Sequence, residues 1–197
     1  MLDRDIRAAL REEYLQKYYQ DSDAKVVEEW PLFANKARID IAVINGHLVG
    51  YEIKSDRDTI ARLPDQLAIY SQIFDYITVI TGPKHVDKLL NFLPHHCGLI
   101  VAEPTESKDI RLSTIVEPSR SPEQSKFKLA SLLWHEEACL LLKAAGLGKG
   151  VRKKRVKQLW KEVAEAFTLD DLGSHVRSML KAREAWKEHQ AHEQYDG

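Results

Sequence analysis

Asp40, Glu52 and Lys54 are the residues of this chain whose types and spacing can do chemistry. They fall in two runs rich in β-branched residues within Arg38–Lys54, on either side of an Asn45-Gly46 turn signal. Asp, Glu and Lys are all poor strand residues, so three of them converging on one face needs a reason. Two carboxylates and an ammonium at one spot suit a Mg2+-dependent phosphodiesterase. Mg2+ takes oxygen ligands and is usually held by one or two carboxylates, waters and a substrate phosphate. Asp40 and Glu52 supply the carboxylates, and the backbone carbonyl of Ile53 offers a third oxygen. A cation held there polarises a phosphoryl oxygen and acidifies a bound water. Lys54 then orients the water or steadies charge developing at phosphorus. Without a metal the facing carboxylates repel, and one of them takes up a proton.

For these side chains to meet, the two runs must pair in the right register, because a slip of one residue turns every side chain to the other face. A two-residue Asn-Gly turn would set Asp40 opposite Tyr51 and scramble the apolar face. An odd loop, or a bulge beside the turn, instead puts Ile39, Ile41 and Val43 on one face with Val49, Tyr51 and Ile53, and Asp40 on the other with Glu52 and Lys54. Burial therefore predicts the odd loop.

Asp40 followed by Glu52-Ile53-Lys54 on the next strand resembles the motif of the PD-(D/E)XK nuclease superfamily, which includes restriction endonucleases and Holliday-junction resolvases. The resemblance covers roughly residues 3–103. The proline that names the motif is replaced by Ile39, as in many members. Gln66 and Tyr70 resemble the Gln-x-x-x-Tyr element of RecB-type nucleases, which implies contact with the active centre and with nucleic acid. More narrowly, Arg38–Asp56 together with Arg62, Leu63, Gln66, Tyr70, Phe74 and Asp75 is similar to a poorly characterised bacterial and phage family within that superfamily. The resemblance implies a restriction-endonuclease-like core and metal-dependent cleavage of DNA, with Mg2+ as cofactor and Mn2+ able to replace it. It also implies a further upstream acid among the metal ligands. Glu29 is the first choice; Glu28, Asp5 and Glu12 are the alternatives.

The surrounding pattern is that of an α/β domain: a mixed β-sheet core flanked by helices, with an all-α C-terminal extension. Helix is expected from Asp3 to about residue 20, with strands at Lys25–Leu32, Tyr76–Thr81 and Gly98–Glu103. A helix from Ser55-Asp56 to about Phe74 should break or truly begin near Pro64. Another covers Lys84–Phe92. The later strands, joined through helices, should be parallel neighbours. Residues 1–103 are thus the core and 104–126 a connection with one weak strand at Arg111–Val116. Residues 127–197 are helical: Lys128–Ala145, Val151–Phe167, and a last helix capped by Thr168 and running to about His189.

The chain has 197 residues, 44% of them apolar and 30% charged, with a formal net charge of −1, which excludes a globally basic nucleic-acid coat. Any nucleic-acid surface must be local, and Arg152, Lys153, Lys154 and Arg155 form the densest positive run. No apolar stretch reaches the roughly 18 residues of a membrane span, and the charged N-terminus lacks a secretory core. Cys97 and Cys139 are far apart, as expected for buried thiols in a reduced cytoplasmic setting. His95-His96-Cys97 has no second pair at zinc-ligand spacing. DNA is the expected partner, and a homodimer through residues 127–190 would let one centre per chain cut both strands. Two rivals stand: a nucleic-acid-binding or regulatory protein that keeps the fold without turnover, and an interaction module that uses the C-terminal helices.

Overall fold

Three consecutive antiparallel strands, β1 (Lys25–Leu32), β2 (Ala37–Ile44) and β3 (Leu48–Lys54), carry the motif in a computed structural model that describes residues 2–33, 35–107, 109–184 and 186. Parallel strands β4 (Tyr76–Thr81) and β5 (Gly98–Pro104) follow, and β6 (Ile110–Val116) closes the far edge antiparallel to β5. The six strands lie in sequential order in one mixed sheet. The parallel steps are those whose connections hold a helix, as a crossover requires. The weak strand expected in the connection is a full member of this sheet.

Helices cover both faces. On one, α1 (Asp3–Leu10), a π-helical turn (Arg11–Leu15) and α2 (Gln16–Tyr19) press Ile6, Leu10 and Leu15 onto Ile41, Val43, Tyr51, Ile53 and Ile80. The other face carries α3 (Leu63–Tyr70), α4 (Val86–Phe92), α5 (Lys126–Ala130), α6 (His135–Ala144), α7 (Val156–Ala166) and α8 (Leu169–Ala182). Helix α3 begins beside Pro64, where the missing N–H costs nothing. The continuous helix expected over Lys128–Ala145 is two helices. The chain turns at Ser131–Trp134, where Glu137 accepts from the Trp134 N–H at 2.7 Å and Trp160 Nε1 donates to the Leu133 carbonyl at 2.9 Å. The last helix ends at Ala182; the expected end at His189 lies outside the described residues.

Leu129, Leu159, Val163, Leu172, Val176 and Leu180 share one core with Ala42, Ile44, Leu48 and Leu99 of the sheet. These helices thus bury much of their apolar surface within the chain, with Leu140 and Leu147 left exposed. Among the described residues no helix is long and apolar enough to cross a membrane.

The hairpin register is the odd one. Ile44 pairs with Leu48 across a three-residue loop, Val43 with Val49, and Ile41 with Tyr51. Ile39 departs from expectation. It lies on the opposite face from Ile41 and Val43, and its Cδ1 would stand 3.4 Å from a Cβ at Gly50. The cause is in β1, where Glu29 takes a left-handed φ of 52°. The β1–β2 ladder runs in one register from Lys25↔Ile44 to Leu32↔Ala37 but omits the Glu29/Asp40 pair, and both strands turn over there.

Phe74, wholly buried, locks α3 to this region. Its ring stands edge-on to Trp30 at 6.3 Å and to Tyr70 at 6.1 Å, and its Cγ would lie 3.2 Å from a Cβ at Gly50. Phe74→Ala is expected to cost about 3–5 kcal/mol of unfolding free energy, measured by urea denaturation followed by tryptophan fluorescence. A loss below about 1 kcal/mol would show that the ring does not anchor the helix.

Candidate active site

The β2–β3 ladder stops at Ile41↔Tyr51, and beyond it the two strands fork. Asp40 stands in the fork. Its Oδ2 accepts the Ile53 N–H at 2.7 Å, replacing the ladder bond that β2 no longer offers. The N–H and carbonyl of one strand residue point to the same edge, so the Ile53 carbonyl also faces the fork.

Glu52 is 1% exposed on β3 and is held by three side chains. Lys54 Nζ donates to Oε1 at 2.5 Å, and Gln66 Nε2 donates to the same oxygen at 2.9 Å. The Tyr70 hydroxyl lies 2.9 Å from Oε2 and 2.7 Å from the Arg38 carbonyl oxygen, and one proton serves both acceptors. Burial and the charge of Glu52 push the Tyr70 phenol well above its ordinary pKa, so it stays a donor. The spacing of Gln66 and Tyr70 thus brings one turn of α3 onto one carboxylate. Tyr70 is fully buried beneath the cleft, and its hydroxyl holds Glu52. Gln66, half-buried, lines the cleft.

Arg7 of α1 is the member of the site that sequence reading missed. Its Nη2 donates to Asp40 Oδ1 at 3.0 Å and to Glu29 Oε1 at 2.5 Å, and its Nε to Asp3 at 2.6 Å. The signal was present: Ile6 and Leu10 mark the buried stripe of α1, and Arg7 adjoins it. Glu29 is joined to Asp40 through Arg7 and is also paired with Arg38 at 2.9 Å. The other candidate acids lie elsewhere. Glu28 is bound by Arg11, Asp5 accepts the Leu2 N–H at its own helix start, and Glu12 is exposed.

Burial, with the charge of Glu52 second, raises Asp40 to a pKa of about 6 against the lowering effects of the Ile53 N–H, Arg7 and Lys54. Asp3, Glu29, Asp40 and Glu52, four carboxylates, meet three cations, Arg7, Arg38 and Lys54. Among the described residues no three His, Cys, Asp or Glu side chains converge as a metal-holding group. Asp40, Glu52 and the Ile53 carbonyl are instead an oxygen-only donor set, of the kind that could hold a hard divalent cation that keeps several waters.

An open cleft of about 790 Å³ leads to these groups, lined by Lys36, Arg38, Asp40, Glu52, Lys54, Arg62 and Gln66, with Glu29 on one wall. The run Arg152–Arg155 does not line it. Lys154 is paired with Glu162 at 2.6 Å, while Arg152, Lys153 and Arg155 are exposed. Cys97 and Cys139 are buried free thiols, as expected, with burial pushing Cys97 up to about 12.

The Asp40 shift has a pH signature. Its folded pKa of about 6 exceeds the ordinary 3.8, so the folded chain keeps a proton that the unfolded chain releases. Stability from this group is present at low pH and is lost as pH rises from about 4 to 6, an effect on the order of 2–3 kcal/mol. Asp40→Asn keeps an acceptor for the Ile53 N–H and removes the charge. Its melting temperature should therefore climb relative to the native chain between pH 4 and pH 7. A gap that is constant with pH would contradict the shift.

Comparisons with known proteins place the chain. It is 28% identical over 145 residues to protein cII of Enterobacteria phage P4, an alignment covering 74% of this chain and 54% of that protein, so the chain spans about half the length of the relative. A solved structure, a protein of unknown function from Silicibacter pomeroyi, is similar at a TM-score of 0.38 and 20% identity, over 69% of this chain and 90% of that one. The profile of the family described as bacteriophage P4 protein cII matches residues 2–194, and the chain belongs to that family.

Proposed function

We propose that this chain is a divalent-metal-dependent nuclease with a restriction-endonuclease-like core, hydrolysing phosphodiester bonds of DNA. The observation that carries the reading is the meeting of Asp40, Glu52 and Lys54 at the β2–β3 fork, on the floor of an open cleft. The resemblance of these residues and of Gln66 and Tyr70 to the PD-(D/E)XK motif supports it.

Asp40, Glu52 and the Ile53 carbonyl would hold the cation, with Glu29 the nearest further acid. Mg2+ or Mn2+ bound there supplies a polarised phosphoryl oxygen and an acidified water. The protein's own groups do the rest. Gln66 and Tyr70 fix the direction of Glu52 from inside the fold. The ammonium of Lys54 is pinned on Glu52 at the cleft floor, and Thr81 Oγ1 and the Gly82 N–H hold the Lys54 carbonyl. It is thereby pre-set to donate to a phosphate oxygen or to the attacking water.

Cleavage of plasmid and oligonucleotide DNA should require Mg2+ or Mn2+ and stop with chelator. Asp40→Asn or Glu52→Gln should abolish it with the fold intact. Lys54→Ala should lower kcat by about 10²-fold or more with binding little changed. Metal-independent cutting, or equal activity in Lys54→Ala, would sink the assignment. One observation favours a second reading, nucleic-acid binding without turnover: Arg7 already sits on Asp40 as an internal cation. A native chain that binds DNA yet cuts neither DNA nor RNA with either metal would establish that reading instead.

A further inference from the structure

Lys36, which lines the cleft, and Lys128, which does not, come together around one aromatic ring. Lys36 Nζ lies 5.3 Å from the centre of the Phe33 ring, and Lys128 Nζ lies 2.9 Å from it. Lys36 belongs to the β1–β2 connection and lines the cleft beside Arg38. Lys128 comes from α5, nearly a hundred residues on, and is half-buried. Among the described residues neither ammonium has a carboxylate partner, in a chain whose other buried or half-buried cations mostly do. Burial, and then the charge of Lys36, pull the Lys128 ammonium below its ordinary pKa. Two like charges gathered this way cost free energy unless an anion joins them.

The gathering is built. Phe33 stands edge-on to Phe127 at 6.5 Å, and Phe127 edge-on to Trp160 at 6.3 Å, so the aromatic chain ties the loop to the C-terminal helices. Phe33 and Asn35 hold left-handed φ values of 45° and 61°. For a bulky side chain that is a true outlier, tolerated only where the surroundings impose it.

We propose that Lys36 and Lys128 form a phosphate clamp that seats the DNA strand flanking the bond presented to Asp40, Glu52 and Lys54. This rests on the nuclease reading for its substrate, but it assigns a binding role that the motif residues do not have. Two ammonium groups within 5.3 Å of one ring centre suit one or two neighbouring phosphates of a strand. Lys36 and Arg62 line the same cleft as the site residues, beside Arg38, which is paired with Glu29, and Asp65. The clamp also gives the C-terminal region a function through Lys128 rather than through Arg152–Arg155.

The test uses the full chain carrying Asp40→Asn, a fluorescein-labelled DNA duplex, and anisotropy titrations at several salt concentrations. Adding Lys36→Gln and Lys128→Gln should flatten the slope of log K against log salt by about 1.8, the release expected for two phosphates. Replacing both by Arg should restore it. The control pair Arg152→Gln and Lys153→Gln removes the same charge away from the cleft and should leave the slope within error. Equal slopes for the clamp and control pairs would overturn the clamp. Lys36→Gln alone changes only an exposed loop residue and should flatten the slope by about 0.9, which keeps the test valid if the double variant folds poorly. Binding with the expected slopes but no cleavage by the native chain would leave the clamp standing and remove the nuclease reading. Cleavage with unchanged slopes would do the reverse.

Discussion

The bond from the Ile53 N–H to Asp40 Oδ2 is the contact on which the site depends. A sheet that stayed paired would bury the Ile53 N–H and carbonyl in a ladder and leave Asp40 on a flat face. Here the ladder ends after Ile41↔Tyr51, and a carboxylate substitutes for the missing strand. The exchange satisfies a backbone donor that would otherwise be costly to bury. It also opens a fork wide enough for groups from both faces: Arg7 from the α1 side, Gln66 and Tyr70 from the α3 side.

Electrostatics then sorts the two carboxylates into different roles. Glu52 is the more deeply buried, yet each of its oxygens has a hydrogen-bond donor close by, so its position is fixed. Burial and the charge of Glu52 resist the ionisation of Asp40. Arg7 answers only part of that cost, since it divides its guanidinium among Asp40, Glu29 and Asp3. A shared arginine is a weaker counter-charge for each acid than a dedicated one. On the proposed metal-dependent reading, a divalent cation at Asp40 would have to compete with Arg7, which keeps Asp3 and Glu29 if it lets Asp40 go.

Much of this was legible in the sequence where the cause is local. The odd hairpin loop followed from the need to bury Ile41, Val43, Val49 and Tyr51 together, and the start of α3 followed from Pro64. The grouping of Asp40, Glu52 and Lys54 followed from strand alternation. What stayed hidden depends on tertiary contacts. No glycine announces the left-handed turn at Glu29, so the crossing of Ile39 to the other face could not be read. The break between α5 and α6 lies in an apolar run, Leu132-Leu133, that reads as continuous helix. It is made by Trp160 and Glu137 taking up backbone groups from outside the run. Arg7 has Asp3 as a local partner four residues away, and only the sheet beneath α1 brings it to Asp40.

The left-handed residues Glu29, Phe33 and Asn35 bear on what the β1–β2 segment is for. Among the described non-glycine residues these are the ones with positive φ, and all fall within this segment. Such conformations cost on the order of 1–3 kcal/mol each and persist only where packing over-determines them. Trp30 and Leu32, both nearly fully buried, supply that packing between the strained positions. A plain hairpin could join β1 to β2 without this cost. The arrangement adopted turns Glu29 toward Arg7, sends Asp40 into the fork and brings Lys36 to the ring of Phe33. Glu29 is thus held by Arg7, and Phe33 and Asn35 precede Lys36, which lines the cleft. Relaxing Glu29 would also turn Trp30, Leu32 and Ile39 back across the sheet, so one strained residue sets both which face the core takes and where Asp40 stands.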